Sequence, residues 1–173
     1  MDKLDSELAG IEELGASDMN HLRSKIQLIS SWMQKKSKLL SPFSDLMLRA
    51  GGGLALLLSH VEISDKNIEE REKLIMNRIK ALDMVDEKSM SRLKGFEVFK
   101  LYLILCDKLK LLKSKESLDQ KGQDSLVLCQ QVALVEAQYL LEGDTLAPLQ
   151  IFRTIPEKDT LPQIHNIVRE KYK

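Results

Sequence analysis

Cysteine is nearly absent from this 173-residue sequence, which carries only Cys106 and Cys129. Both fall within apolar helical pattern, with no C-x-x-C and no catalytic Cys–His pairing nearby, so both read as small buried hydrophobes. A disulfide framework is thereby excluded, and a reducing intracellular compartment, cytoplasmic or nuclear, is expected. Aromatic residues make up 5% of the chain, which argues against a sizeable aromatic-lined ligand pocket. Net charge is also missing: 26 basic residues cancel 26 acidic ones, so no global field draws the chain to nucleic acid or an anionic membrane. No apolar run approaches the eighteen or so residues of a membrane span. The amino-terminal MDKLDSELAG is acidic and amphipathic and lacks the basic start and apolar stretch of a signal peptide.

The motifs of common chemistry are missing as well. His21, His60 and His165 lie in three different expected elements, with no H-E-x-x-H or E-x-x-H among them, so no metal site and no cofactor is expected. Gly51, Gly52 and Gly53 invite a phosphate-cradle reading, but Leu54, Ala55 and Leu56 follow where a P-loop has Lys and Ser or Thr. A break, a kink or a close helix crossing is the expected use of three glycines that each cost a helix about 1 kcal/mol. Ser59, His60 and Asp65 hold a nucleophile, a base and an acid within seven residues, which is proximity in sequence without triad geometry.

What the chain does have is amphipathic helical pattern. Apolar residues make up 43% and charged residues 30%, the balance of a folded domain of one core. The pattern predicts an all-α fold, an irregular bundle of about six or seven helices in a single domain spanning 1–173. Its centre is a helix near 93–113, rich in Leu and Lys and poor in β-branched residues, too long for a strand. On a wheel, Phe96, Phe99, Leu103 and Cys106 follow one side and Val98, Leu101, Leu105, Leu109 and Leu112 a second, leaving Lys94, Glu97 and Lys100 for water. Leu103 is thus expected in the core. The mate of this helix is a second apolar helix over 125–142, capped by Asp124 or Ser125 and carrying the stripe Leu128, Val132, Val135 and Tyr139. Between them, 114–125 reads as an exposed polar loop. After Gly143, three of the four prolines make 144–162 an extended segment that leads to a short last helix.

Earlier in the chain, 2–14 predicts a short helix, and Ser17 is the expected N-cap of a second. The first twenty residues are net negative by five (Lys3 against six acids), while His21 to Arg49 is net positive by five (six basic residues less Asp45); the two helices are expected to pair antiparallel. Ser41-Pro42 signals a third helix and Ser64-Asp65 a fourth, whose Ile68, Ile75 and Ile79 face the core.

Two sets of residues are candidates for binding. Met19, Ile26, Ile29, Trp32 and Met33 form a heptad-like seam that suits a partner helix as well as a core. Lys35, Lys36 and Lys38 beside Trp32, and Lys108, Lys110, Lys113 and Lys115 at the end of the central helix, are candidate anion sites. The sum of amphipathic helices without an assembled catalytic constellation points away from an enzyme and towards an interaction module: a subunit, adaptor, scaffold or effector that presents helical surfaces to a protein partner or to another copy. The alternative is a helical RNA- or anionic-membrane-binding protein acting through the lysines. A third reading, an enzyme assembled across helices, would rest on His60 and Glu62.

Overall fold

The computed structural model of the chain describes residues 2–15, 18–85, 91–115, 119–144, 147, 152 and 161–172, and among them it is all-α, with seven helices and no strand. The helices are α1 (Asp2–Glu12), α2 (Met19–Lys36), α3 (Asp45–Leu58), α4 (Asp65–Val85), α5 (Ser91–Ser114), α6 (Gln120–Leu140) and α7 (Leu161–Lys171). The expected irregular helical bundle is what forms. The chain divides into two compact units, Met1–Arg78 and Ile79–Lys173, with α4 contributing to both.

In the first unit α2 starts one residue later than expected. Asp18, not Ser17, is the cap, its carboxylate accepting from the backbone N–H of Asn20 at 2.8 Å and of His21 at 2.9 Å. Those two N–H groups hold the Asp18 carboxyl below its ordinary pKa, the His21 N–H most of all. Ser41 likewise turns the chain instead of starting α3: its hydroxyl accepts from Phe43 N, and the helix begins at Asp45 after Ser44. Ser64 does cap α4, accepting from Asn67 N at 3.3 Å. Lys36 reaches Glu7 at 2.8 Å, and Lys25 donates to the carbonyls of Glu12 and Leu14, so α1 and α2 run antiparallel as their opposite charges suggest.

The core of this unit gathers Leu8, Ile29, Trp32, Leu46, Ala50 and Leu54. The glycine triplet does not break α3, which runs unbroken through all three. A Cβ on Gly51 would stand 3.3 Å from Leu74 and one on Gly52 2.8 Å from the Arg78 guanidinium, so the first two glycines leave room for these two side chains of α4. Arg78 uses that proximity to donate to Leu48 O at 2.5 Å, offsetting the cost of bringing its charge against the backbone. On α4, Ile68 and Ile75 are buried as expected, but Arg71, expected in water, is also buried.

The second unit is built on an antiparallel hairpin of α5 and α6, the expected central helix and its mate. Arg92 pairs with Asp144 at 2.5 Å, Gly95 lies against Leu141, and Cys106 Sγ accepts from Gln130 at 2.8 Å. The numbers rise along α5 by the same steps by which they fall along α6, which fixes one register over the hairpin. The helices extend into the expected loop: α5 runs to Ser114, and Asp119 caps α6 by accepting from Gly122 N, with Gln120 donating to Asp124 one turn on. A polar first turn is here satisfied by its own side chains. The α7 helix packs Ile164 and Val168 on Val135 of α6. Of the segment expected to be extended, 144–162, only residues 144, 147, 152, 161 and 162 belong to the described residues.

Candidate functional site

The α5–α6 hairpin has two halves that differ in what covers them. In the half next to α7, charged groups are enclosed with the apolar ones: Lys94 is 2% exposed, Glu97 4% and Glu136 5%. Lys94 and Glu97 are therefore not on a wet face, contrary to their place on the helical wheel. The Lys94 ammonium pairs with Asp83 at the end of α4 and sits 4.8 Å from the centre of the Tyr172 ring. Glu97 accepts from Lys100 at 2.9 Å. Glu136 accepts from Lys171 at 2.8 Å and from the Tyr172 hydroxyl, and Tyr172 stacks on Tyr139 at 5.7 Å. Groups this buried are stable only when paired. These pairs fasten α4 and α7 to the hairpin, and they are committed to one another rather than facing a cleft.

The other half is bare. From Cys106 to Lys115 on α5 and from Asp119 to Val132 on α6, no residue is buried, whereas Ala133 to Ala137 on α6 all are. Leu109, Leu111 and Leu112 are half-buried, Leu128 is 46% exposed, and Cys129 is exposed. Both cysteines are free, and neither is the buried hydrophobe expected of it: Cys106 is half-buried and hydrogen-bonded to Gln130. Leu103, expected in the core, is 38% exposed, while Val98, Ile104 and Leu105 are buried. Two helices bury only the seam between them, and apolar groups flanking that seam keep contact with water.

The candidates read from sequence are distributed as follows. Of the α2 seam, Ile29 and Trp32 are buried in the first unit's core, Ile26 and Met33 pack against it, and Met19 is 47% exposed. Lys36 is paired with Glu7, leaving Lys35 and Lys38 as the exposed members of their group. Lys108, Lys110, Lys113 and Lys115 do not share a face: at 100° per residue, Lys108 and Lys115 fall on one side of α5 and Lys110 and Lys113 on the other. His60 and Glu62 are exposed, and the Ser59 hydroxyl donates to Leu56 O at 2.6 Å rather than to a base. His21 Nδ1 lies 2.9 Å from the Asp18 carboxylate, an exposed pair within the cap of α2.

A shallow cleft in the first unit is lined by Met33, Pro42, Met47, Gly51, Leu74 and Arg78, and its one charged group is already bonded to Leu48 O. Among the described residues no cluster of three or more His, Cys, Asp or Glu could hold a metal ion, and no helix is long and apolar enough to cross a membrane. The chain matches no protein-family model, no curated protein and no solved structure. In the distal half of the hairpin Leu128 is 46% exposed and Cys129 is exposed, and the sequence alone did not show which residues of the two apolar helices would be left so.

Proposed function

We propose that this protein is a non-enzymatic interaction module, a subunit or adaptor, that presents the distal half of its α5–α6 hairpin to a helical protein surface. One observation carries the reading: among the described residues between Cys106 and Val132 none is buried, although Leu109, Leu111, Leu112, Leu126, Val127 and Leu128 lie there. Covering what remains exposed of each such side chain gains roughly 1 kcal/mol, so half a dozen of them fall short of the about 8 kcal/mol of a micromolar contact and support a weak, transient one. Unpaired cysteines, one of them exposed, suit the reducing intracellular setting expected for such a module.

The test is capture of partners from an extract of the source by the intact chain, with and without nuclease, set against a chain carrying Leu111→Glu and Leu128→Glu, both off the stripe of Val98, Leu105 and Leu112. A control carries Leu39→Glu, at a leucine already 74% exposed in the first unit. The expected result is a stoichiometric protein that survives nuclease, is retained by the control and is lost from the double variant. Binding that disappears with nuclease, or that falls steeply with salt and ignores the two leucines, would overturn the reading in favour of the lysines.

A further inference from the structure

We infer that α7 is a reversible strap, a short helix that closes over one face of α6 and leaves it as a unit while the α5–α6 hairpin stays folded. Its docked groups lie along one side. Ile164 and Val168 are 0% and 1% exposed in a cluster with Val135, and Lys171 and Tyr172 meet Glu136, whereas His165, Asn166, Ile167, Arg169 and Glu170 are exposed. A helix of 11 residues is marginal in water by itself, so α7 keeps its shape only while that side is docked. Residues 141–160 join it to α6, and at up to about 3.3 Å per residue they let it leave without disturbing α6.

What lies under the strap keeps the balance close. Closing α7 takes the Glu136 carboxylate out of water with the Lys171 ammonium, and it sets the Tyr172 ring 4.8 Å from the Lys94 ammonium, whose pairing with Asp83 does not involve α7. Enclosing charges costs hydration that their pairing does little more than return. The polar contacts therefore fix where α7 docks, while burial of Val135, Ile164 and Val168 drives the closing. Opening returns water to Glu136, and it also changes what α6 presents. Leu128, Val132, Val135 and Tyr139 recur at steps of four, three and four, one stripe of the helix. With α7 closed, Leu128 is 46% exposed while Val135 is buried, Val132 packs on the same cluster and Tyr139 stacks on Tyr172. The strap thus masks the last three positions of that stripe, and its release uncovers them together. The inference stands on the contacts of α7 itself and requires no partner at Leu128.

Amide hydrogen exchange of the full chain, resolved by residue, tests this. The expected result is one common protection for the amides of α7 beyond its first turn, at least about a hundredfold below that of Ala133 to Ala137 on α6. Val168→Asp should abolish the protection of α7 and lower that of Ala133 to Ala137 by no more than the factor that α7 shows in the parent. Glu136→Gln with Lys171→Met removes the enclosed charges, keeps an acceptor for the Tyr172 hydroxyl, and should slow the exchange of α7 about tenfold. Exchange of α7 as slow as that of α6, exchange graded inward from Tyr172 as in simple fraying, or protection lost across the hairpin in Val168→Asp would overturn the strap. Faster exchange of α7 in the double variant would do the same.

Discussion

In the unit Met1–Arg78 Arg71 is the one charged side chain buried among the described residues, while in the unit Ile79–Lys173 Lys94, Glu97 and Glu136 are. Arg49 bonds to Asp5 and Glu12, and Lys36 to Glu7, all on partly exposed stems. Such pairs are each worth under about 1 kcal/mol, so the first unit is held by burial of groups such as Ile29 and Leu54. In the second unit Lys94, Glu97 and Glu136 have been taken out of water, and each holds a partner on its own or a neighbouring helix. Buried pairs add little net energy but penalise every arrangement that separates them. The second unit therefore uses its polar groups to hold α7 and its own last turn of α4, at Asp83, against the hairpin.

The largest effects should come from the two cores, and they ask whether the units unfold separately. Leu54→Ala and Leu134→Ala remove side chains that are 2% and 0% exposed, and each should cost about 2–5 kcal/mol. Amide hydrogen exchange resolved by segment should show lost protection in α2 and α3 for the first and in α5 and α6 for the second. Loss throughout the chain in both variants would make the two units one cooperative body.

The contrast in charge predicts a smaller but sharper difference. Glu136→Ala leaves Lys171 and the Tyr172 hydroxyl without their shared acceptor and should cost about 1–3 kcal/mol, with α7 the first segment to exchange. Arg49→Met, at a side chain 39% exposed, should cost less than about 1 kcal/mol. Equal losses in urea titrations would mean that the enclosed pairs are no more specific than the rim.

The glycines allow the same comparison at the backbone. A Cβ at Gly95 would stand 2.7 Å from Leu141, which is 0% exposed and has nowhere to move, so Gly95→Ala should cost about 1–3 kcal/mol despite its better helix propensity. Gly53 has nothing within 4 Å of its Cβ position, and Gly53→Ala should gain up to about 1 kcal/mol. A shift of melting temperature in the same direction for both would refute the idea that Gly95 marks a crossing and Gly53 does not.

How much of this was legible before folding depends on whether the deciding partner is near in sequence. The α5–α6 hairpin was legible because the pattern of each helix, Val98 with Leu105 and Val132 with Val135, is internal to that helix. The caps were displaced because several oxygens compete for the same orphan N–H groups: Asp18 stands beside Ser17, and Asp119 precedes Asp124 by five residues. The glycine triplet was expected to break, kink or cross, and α3 runs through it unbroken while Gly51 and Gly52 make room for the Leu74 and Arg78 side chains, which lie on another helix. Lys94 and Glu97 were placed in water because their partners, Asp83, Tyr172 and Lys100, lie partly on remote helices. The α2 seam was ambiguous between core and partner surface for the same reason: Ile29 and Trp32 meet Leu8 and Leu54, which a helical wheel of α2 does not contain.

Leu103 gives the smallest predicted effect and the most direct contest between wheel and fold. On the wheel it sits with Phe96, Phe99 and Cys106, and an aspartate there would place a charge in the core at a cost of several kcal/mol. In the folded chain it is 38% exposed, while its neighbours Ile104 and Leu105 are 2% and 6% exposed. Leu103→Asp then loses partial apolar cover and little else, and should change stability by about 0.5 kcal/mol or less. Ile104→Asp at the adjoining position should abolish the fold of the second unit, which circular dichroism would show at once. If Leu103→Asp were as damaging as Ile104→Asp, the rotation of α5 against α6 would be in error, and with it the exposure of Leu128 on the neighbouring helix.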